Sequence, residues 1–305
     1  NTDGTYYQNI TLDSTTTPAF SGSYNTESGG AVRLVNAGLT CIGVTFTNCK
    51  SQKAGGGIYI YNNIKTEDEK ITYSINLNGL KFEGCEASYG AAVFIYSPLE
   101  TSPIRITSCI FDSNLLSSSS TSGKFYGGSA LYIVSKNAEI TDSKFHNNKG
   151  RGGAIKISDD LDTLPELRML QRMSNSTKRS ILISGCSFEI DENSDSSLFY
   201  ENGMRSTKIE IKDCSFKGKL TEGAHHIDGD SINDEKSSFI IKSCKFATDQ
   251  DGALSRKFIN ADLYRNQILL NNKFVKAKLP ASLMMIVSSL AAILITIITF
   301  FIKKQ

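Results

Sequence analysis

The chain repeats one apolar phrase. Two branched or Leu side chains stand at alternate positions, a small residue or Cys follows, and a Phe comes two residues later. Ile106, Cys109 and Phe111 form one copy; others are built on Ile183, Cys186 and Phe188, on Ile211, Cys214 and Phe216, and on Ile241, Cys244 and Phe246. The phrase recurs eight times, at Phe46, Phe82, Phe111, Phe145, Phe188, Phe216, Phe246 and Phe274, with 28–43 residues between neighbouring Phe. Such a period marks a supersecondary unit that buries its apolar side only by stacking on its neighbours.

After most copies comes a second phrase of small residues followed by apolar alternation. It reads Gly29-Gly30-Ala31-Val32, Gly55-Gly56-Gly57-Ile58, Gly90-Ala91-Ala92-Val93, Gly127-Gly128-Ser129-Ala130 and Gly152-Gly153-Ala154-Ile155. Gly admits positive φ and close backbone approach at a corner. Within the first phrase, Ser184-Gly185 breaks the alternation between Ile183 and Cys186, which predicts strand, bend, strand. A period of 2, not 3.6, organises the apolar residues, so helical repeats are excluded. Asn-Gly turns occur only at Asn78 and Asn202, too irregularly for hairpins of stacked sandwiches. The prediction is an all-β chain, a right-handed parallel β-helix of short strands, with a C-terminal transmembrane α-helix.

That helix is read from Leu283–Ile302, which carries no charge. At about 1.5 Å per residue it spans the ~30 Å hydrocarbon core. Twelve of its 20 residues are Leu, Ile, Val or Phe. Pro280 stands ahead of it, where a helix can begin, and Lys276, Lys278, Lys303 and Lys304 flank it. A buried core helix is the bland alternative, but a solenoid has nowhere to bury one. A removable lipid-anchor signal would end apolar, not in Lys303-Lys304-Gln305. The expected organisation is 1–28 as an N-terminal cap or truncated first rung, 29–278 as the β-helix, 279–302 as the span and 303–305 as a cytoplasmic tail. A signal peptide or longer N-terminal region is expected to precede Asn1.

Composition narrows function only slightly. With 33 basic and 31 acidic residues, no basic field points to nucleic acid. Asn9-Ile-Thr11 and Asn175-Ser-Thr177 are glycosylation acceptors, so Asn9 and Asn175 favour an extracellular β-helix. This predicts a single-pass protein of the plasma membrane or another surface membrane, with no cofactor.

Cysteine leaves two readings open. Cys109, Cys186, Cys214 and Cys244 precede a phrase Phe by two residues, Cys49 and Cys85 follow one by three, and Cys41 stands apart. They are small apolar residues of a core ladder, or they form disulfides between stacked rungs. Among Cys186, Cys214 and Cys244 one must then stay unpaired, and the odd total forbids complete pairing.

Four connections exceed what a rung needs: 62–70, 115–124, 158–179 and 218–234. Thr163-x-x-Glu166 is a capping box ahead of Leu164, Leu167, Leu170 and Met173 at helical spacing. It predicts an amphipathic helix that packs on the solenoid flank or docks a partner. Tyr59, Phe94 and Tyr132 share one outward phase after the second phrase, as a self-supporting ladder or a stripe for sugars or another protein.

The pairing of Gly-Gly-Ala-Ile with Phe-x-x-Asn resembles the repeats of polymorphic outer-membrane proteins, first associated with chlamydiae. It is carried by Phe111 to Asn114 with Gly127-Gly128, and by Phe145 to Asn148 with Gly152-Gly153-Ala154-Ile155. It covers 29–157 well and 180–274 loosely. Bacterial members end in an autotransporter barrel. The single apolar segment here is instead similar to protist surface proteins with such repeats and one membrane span. The resemblance implies adhesion or surface display. Cys49 and Cys85 stand where the motif has Asn, so no Asn role carries over there.

Three functions follow as expectations: a non-catalytic adhesion or structural surface protein, an accessory subunit of a membrane complex or filament, or a polysaccharide lyase or hydrolase. The last needs clustered carboxylates. The candidates are Asp159-Asp160 and the group His225, His226, Asp228 and Asp230; neither recurs on an adjacent rung at matching phase, and an enzyme is not expected.

Overall fold

The computed structural model describes residues 9–62, 73–98, 103–117, 127–150, 152–158, 179–190, 197–201, 207–218, 225–229, 238–248 and 267–276. Among these residues the chain is all-β. Four parallel sheets of nine, nine, four and seven strands run along one stack. Successive coils contribute one strand to a sheet, and every described pairing is parallel and in register, as at Ile104↔Ile75 and Ile104↔Ala138. This is the predicted solenoid of parallel strands.

One coil shows the plan. Residues Ile75–Asn78 lie in the first sheet, Lys81–Glu83 in the second, Glu86–Ala87 in the third and Val93–Ser97 in the fourth. Nine coils follow one another, beginning near residues 9, 38, 75, 104, 137, 179, 207, 238 and 267. The eight-fold Phe phrase therefore has a ninth copy: Phe20 pairs in register with Phe46.

Each corner has its own backbone solution. Between the first and second sheets, Gly43, Gly79, Ser108, Asp142, Gly185, Asp213, Ser243 and Asn271 all have φ between 51° and 67°. Between the second and third, Gly22, Asn48, Gly84, Ser113 and Asn147 have φ from 50° to 63°. These are left-handed positions, which Gly takes freely and Asn and Asp tolerate better than bulky residues. The Gly-rich corner adds crowding. A Cβ on Gly56 would meet the carbonyl oxygens of Ala91, of Glu86 (2.6 Å) and of Cys49 (2.7 Å) on neighbouring segments.

One column of inward Phe side chains runs the length of the core. Phe20, Phe46, Phe82, Phe111, Phe145, Phe188, Phe216, Phe246 and Phe274 stack with centroids 4.8–5.1 Å apart and rings within 13° of parallel. That spacing matches the separation of hydrogen-bonded strands, so each ring sits at van der Waals distance from the next without bending the sheet. Leu39, Leu77, Ile106, Ile140, Ile183, Ile211 and Ile241 line the same interior.

The segment Leu283–Ile302, the helix predicted over Leu164, Leu167, Leu170 and Met173, and Asn175 lie outside the described residues. Among the described residues, no helix is long and apolar enough to cross a membrane.

Candidate functional site

The columns that carry chemistry lie at the corners of the coils. Three residues after the Phe, the column reads Cys49, Cys85, Asn114, Asn148, and all four side chains are buried. Asn148 Nδ2 donates to the Phe111 carbonyl at 2.9 Å, and its Oδ1 accepts from Asn114 Nδ2 at 2.8 Å and from the Asn114 N–H at 3.2 Å. Asn114 Nδ2 also reaches the Phe82 carbonyl, and its Oδ1 accepts from the Cys85 N–H. The thiols of Cys85 and Cys49 point at the carbonyls of Phe46 (3.7 Å) and Phe20 (3.6 Å). Thiol and amide thus make the same contact to the preceding coil. The donor contact that Asn makes at this position is thus also made by the thiols of Cys49 and Cys85.

Two residues before the Phe, the column reads Val44, Leu80, Cys109, Ser143, Cys186, Cys214, Cys244 and Asn272. The polar members turn to the backbone. Ser143 Oγ accepts from the Cys109 N–H at 3.1 Å, and Asn272 Oδ1 accepts from the Cys244 N–H at 2.8 Å. Cys186, Cys214 and Cys244 occupy three consecutive coils, and their Sγ atoms point at the carbonyls of Ile140, Ile183 and Ile211 at 3.5, 3.7 and 3.7 Å. All seven cysteines are buried and free. Cys41 belongs to a different column, in register with Leu12 and Leu77.

Burial sets the thiols apart. Desolvation pushes Cys41 up to about 12 and Cys109 up to about 11, which keeps both protonated. Hydrogen bonding from the Cys85 thiol holds Cys49 down to about 7 and pushes Cys85 up. In the three-thiol run, hydrogen bonds with Cys186 and Cys244 raise Cys214, and the same bonds lower its two neighbours.

On the fourth sheet a ladder runs in register through Arg33, Tyr59, Phe94, Tyr132 and Lys156. Tyr59 and Phe94 stack at 5.3 Å, and Phe94 meets Tyr132 at 5.3 Å with the rings tilted by 33°. Arg33 lies over Tyr59 at 5.8 Å and closes one end, and the Lys156 ammonium lies over Tyr132 at 5.2 Å, with the register running on from Lys156 to Phe199. The expectation of an exposed stripe is corrected. Phe94 and Tyr132 are each 1% exposed and Tyr59 is half-buried, in a second apolar cluster with Tyr96 and Val134. The alternation rule gives which face of the strand a side chain occupies. It does not say whether that face meets water, and here both faces of Val93–Ser97 and Leu131–Ser135 are buried.

The outer faces of the first two sheets do meet solvent. On the second sheet, His146 Nδ1 is 3.0 Å from Asp112 Oδ1 and its Nε2 is 4.0 Å from Glu189 Oε2, while Lys217 reaches Glu189 at 2.6 Å. Burial raises the Asp112 carboxyl, but hydrogen bonds from His146 and Ser113 outweigh it and leave it below the usual range. On the first sheet a groove of about 400 Å³ is lined by Pro103, Arg105, Glu139, Leu182, Glu210 and Lys212. Arg105 and Glu139 pair across it at 3.6 Å, both about half exposed, so the pair contributes about 0–1 kcal/mol. Asn9 lies exposed on the first strand of this sheet.

The carboxylate candidates do not converge. His226 is fully buried: its ring is tilted against Phe216 (5.8 Å) and Phe246 (6.2 Å), and Nδ1 is 3.0 Å from Ser197 Oγ. Desolvation holds it down to about 3, so it is neutral at ordinary pH. His225 and Asp228 are half-buried, and Asp159, Asp160 and Asp230 lie outside the described residues. Among the described residues no group of three His, Cys, Asp or Glu is placed to hold a metal ion.

No protein-family model, curated protein or solved structure matches this chain.

Proposed function

We propose that this chain is a non-catalytic surface protein whose β-helix acts in adhesion or as a structural element. The observation that carries the reading is the continuous register of nine coils on one Phe column, joined in sequence to the uncharged segment Leu283–Ile302. Such a stack is stiff, and at roughly 4.8 Å per coil it is about 40 Å long. It presents side chains at fixed spacing on faces that do not need a cleft. The motif resemblance to polymorphic outer-membrane repeats, in its protist form with one membrane span, supports the same reading. So does the exposed acceptor Asn9. The coils then face the extracellular side or a lumen, and Lys303-Lys304 the cytoplasm.

A second reading is an accessory subunit of a larger membrane complex or surface filament. The exposed Leu270 on the last described coil favours it, because the strand Gln267–Leu270 is paired on one side only among the described residues, and such an edge with an apolar side chain is a surface for further strands.

Purification of the full chain from its native membrane in mild detergent, followed by mass spectrometry of what remains bound, tests the proposal. A lone protein that binds cells or glycan-coated surfaces supports adhesion. A stoichiometric protein partner that stays through purification transfers the weight to the subunit reading. Turnover of a polysaccharide by the purified chain contradicts both.

A further inference from the structure

We propose that Cys186, Cys214 and Cys244 form an oxidation site in which Cys214 is a pivot, bonded in turn to the thiol below it and the thiol above it. The geometry carries this. The three residues share one register position on three consecutive coils: the Ser215 N–H donates to the Cys186 carbonyl at 2.9 Å, the Lys245 N–H to the Cys214 carbonyl at 2.8 Å. Their thiols take the same orientation, each aimed at a carbonyl of the coil before. Neighbouring strands are about 4.8 Å apart, inside the Cα window of about 4.4–6.8 Å for a disulfide. Cys186 and Cys244 are two steps apart, roughly 9.6 Å, beyond that window. Every bond in this run therefore contains Cys214.

The column also sets the exchange chemistry. With a low-molecular-weight disulfide as oxidant, Cys214 and Cys186 lose their protons and two electrons to form an S–S bond, and the oxidant leaves as two thiols. The Cys244 thiol lies one coil beyond Cys214 at the same register position, and as a thiolate it attacks the Cys214 sulfur. Attack forms the Cys244–Cys214 bond and breaks the Cys214–Cys186 bond. Cys244 gives up its proton and Cys186 takes one, so no net oxidant is consumed in the exchange. In the reduced column, hydrogen bonds from the Cys214 thiol lower Cys186 and Cys244, which favours thiolate at the two outer positions for the first oxidation; in the disulfide Cys214 no longer has a proton to donate.

The rest of the chain supplies internal controls. Cys49 and Cys85 are neighbours on coils two and three with no third thiol beside them, so the same oxidant is expected to give them one fixed bond. Cys109 stands between Leu80 and Ser143 in its column, and Cys41 between Leu12 and Leu77. Neither has a thiol within one coil in its own column.

The test uses the full chain in detergent, equilibrated with oxidised and reduced glutathione, quenched with acid, alkylated and mapped as non-reduced peptides. Both the 186–214 and the 214–244 peptides are expected from the one sample, with Cys41 and Cys109 alkylated. Cys214→Ser is expected to lower cross-linking of Cys186 and Cys244 at least tenfold, while Cys186→Ser and Cys244→Ser each retain the other bond. A 186–244 bond in the parent chain overturns the proposal. So do cross-links to Cys109, one single fixed bond in the run, or Cys186, Cys214 and Cys244 all alkylated after oxidation. Because the single variants at 186 and 244 are read independently, failure of Cys214→Ser to fold leaves the proposal exposed to refutation.

Discussion

The main-chain N–H of Cys85 donates to Oδ1 of Asn114 at 2.9 Å, although Cys85 itself stands at the Asn position of its own coil. Asn114 completes the corner of the coil before it: it caps the Cys85 N–H and donates to the Phe82 carbonyl. Removing its amide takes a partner from two backbone groups of that one coil, and each orphan costs about 1–3 kcal/mol. Asn114→Ala is therefore expected to lower the unfolding free energy by roughly 2–4 kcal/mol in urea titration. Cys85→Asn should be tolerated, because the amide finds the Phe46 carbonyl that the thiol already meets.

The aromatic ladder on the fourth sheet gives a sharp comparison with the interior column. Phe111 is sandwiched between Phe82 and Phe145, and truncation to Ala should cost about 3–5 kcal/mol. Phe94→Ala is expected to cost a similar amount, since Phe94 is just as buried. A solvent-facing stripe would instead give changes within about 0.5 kcal/mol. Equilibrium denaturation of the two variants side by side separates the cases.

His226 makes stability depend on pH. Its folded value, about 3, lies below the unfolded value of 6.5. Above the unfolded value both states are neutral and the group contributes no slope. Between the two values only the unfolded chain binds the proton, so its contribution falls as pH falls, by up to about 1.4 kcal/mol per pH unit. His226→Phe is expected to flatten the fall in melting temperature between pH 6.5 and pH 4 relative to the parent chain. An unchanged profile would place the acid sensitivity elsewhere.

At the Gly-rich corner, Gly56→Ala is expected to destabilise strongly, because the added methyl meets three carbonyl oxygens that belong to backbone and cannot yield. Gly79→Ala has no such crowding, only a left-handed φ of 63°, and should cost less. Melting temperatures of the two variants measure the difference between crowding and conformational strain.

Much of this architecture was legible in the chain. The Phe column and the Gly-rich corner repeat residue types that little else can replace, so period alone found them. The first coil was not legible as a full copy. Leu12 precedes Phe20 by eight residues, where Cys41, Leu77 and Ile106 precede their Phe by five. The left-handed corners at Ser108, Asp142, Asp213 and Ser243 were also hidden, because Ser and Asp are common in turns of every kind. Alternation puts Phe94 and Tyr132 on the outer face but does not tell a buried ladder from an exposed stripe, since burial of an outer face depends on what lies over it. The role of His226 was obscured by its neighbour: two adjacent His suggested a site, while one of them is a core residue against Phe216.

The proposal of a surface β-helix held by one span is tested most directly by topology in the native membrane. Intact cells are treated with a membrane-impermeant amine reagent, and the membranes are then washed with alkaline carbonate. Lys50 and Lys217, whose side chains are exposed on the coils, are expected to be labelled, while Lys303 and Lys304 are not, and the chain stays in the pellet. Release by carbonate, or labelling of the coil lysines only after the cells are opened, would contradict the account.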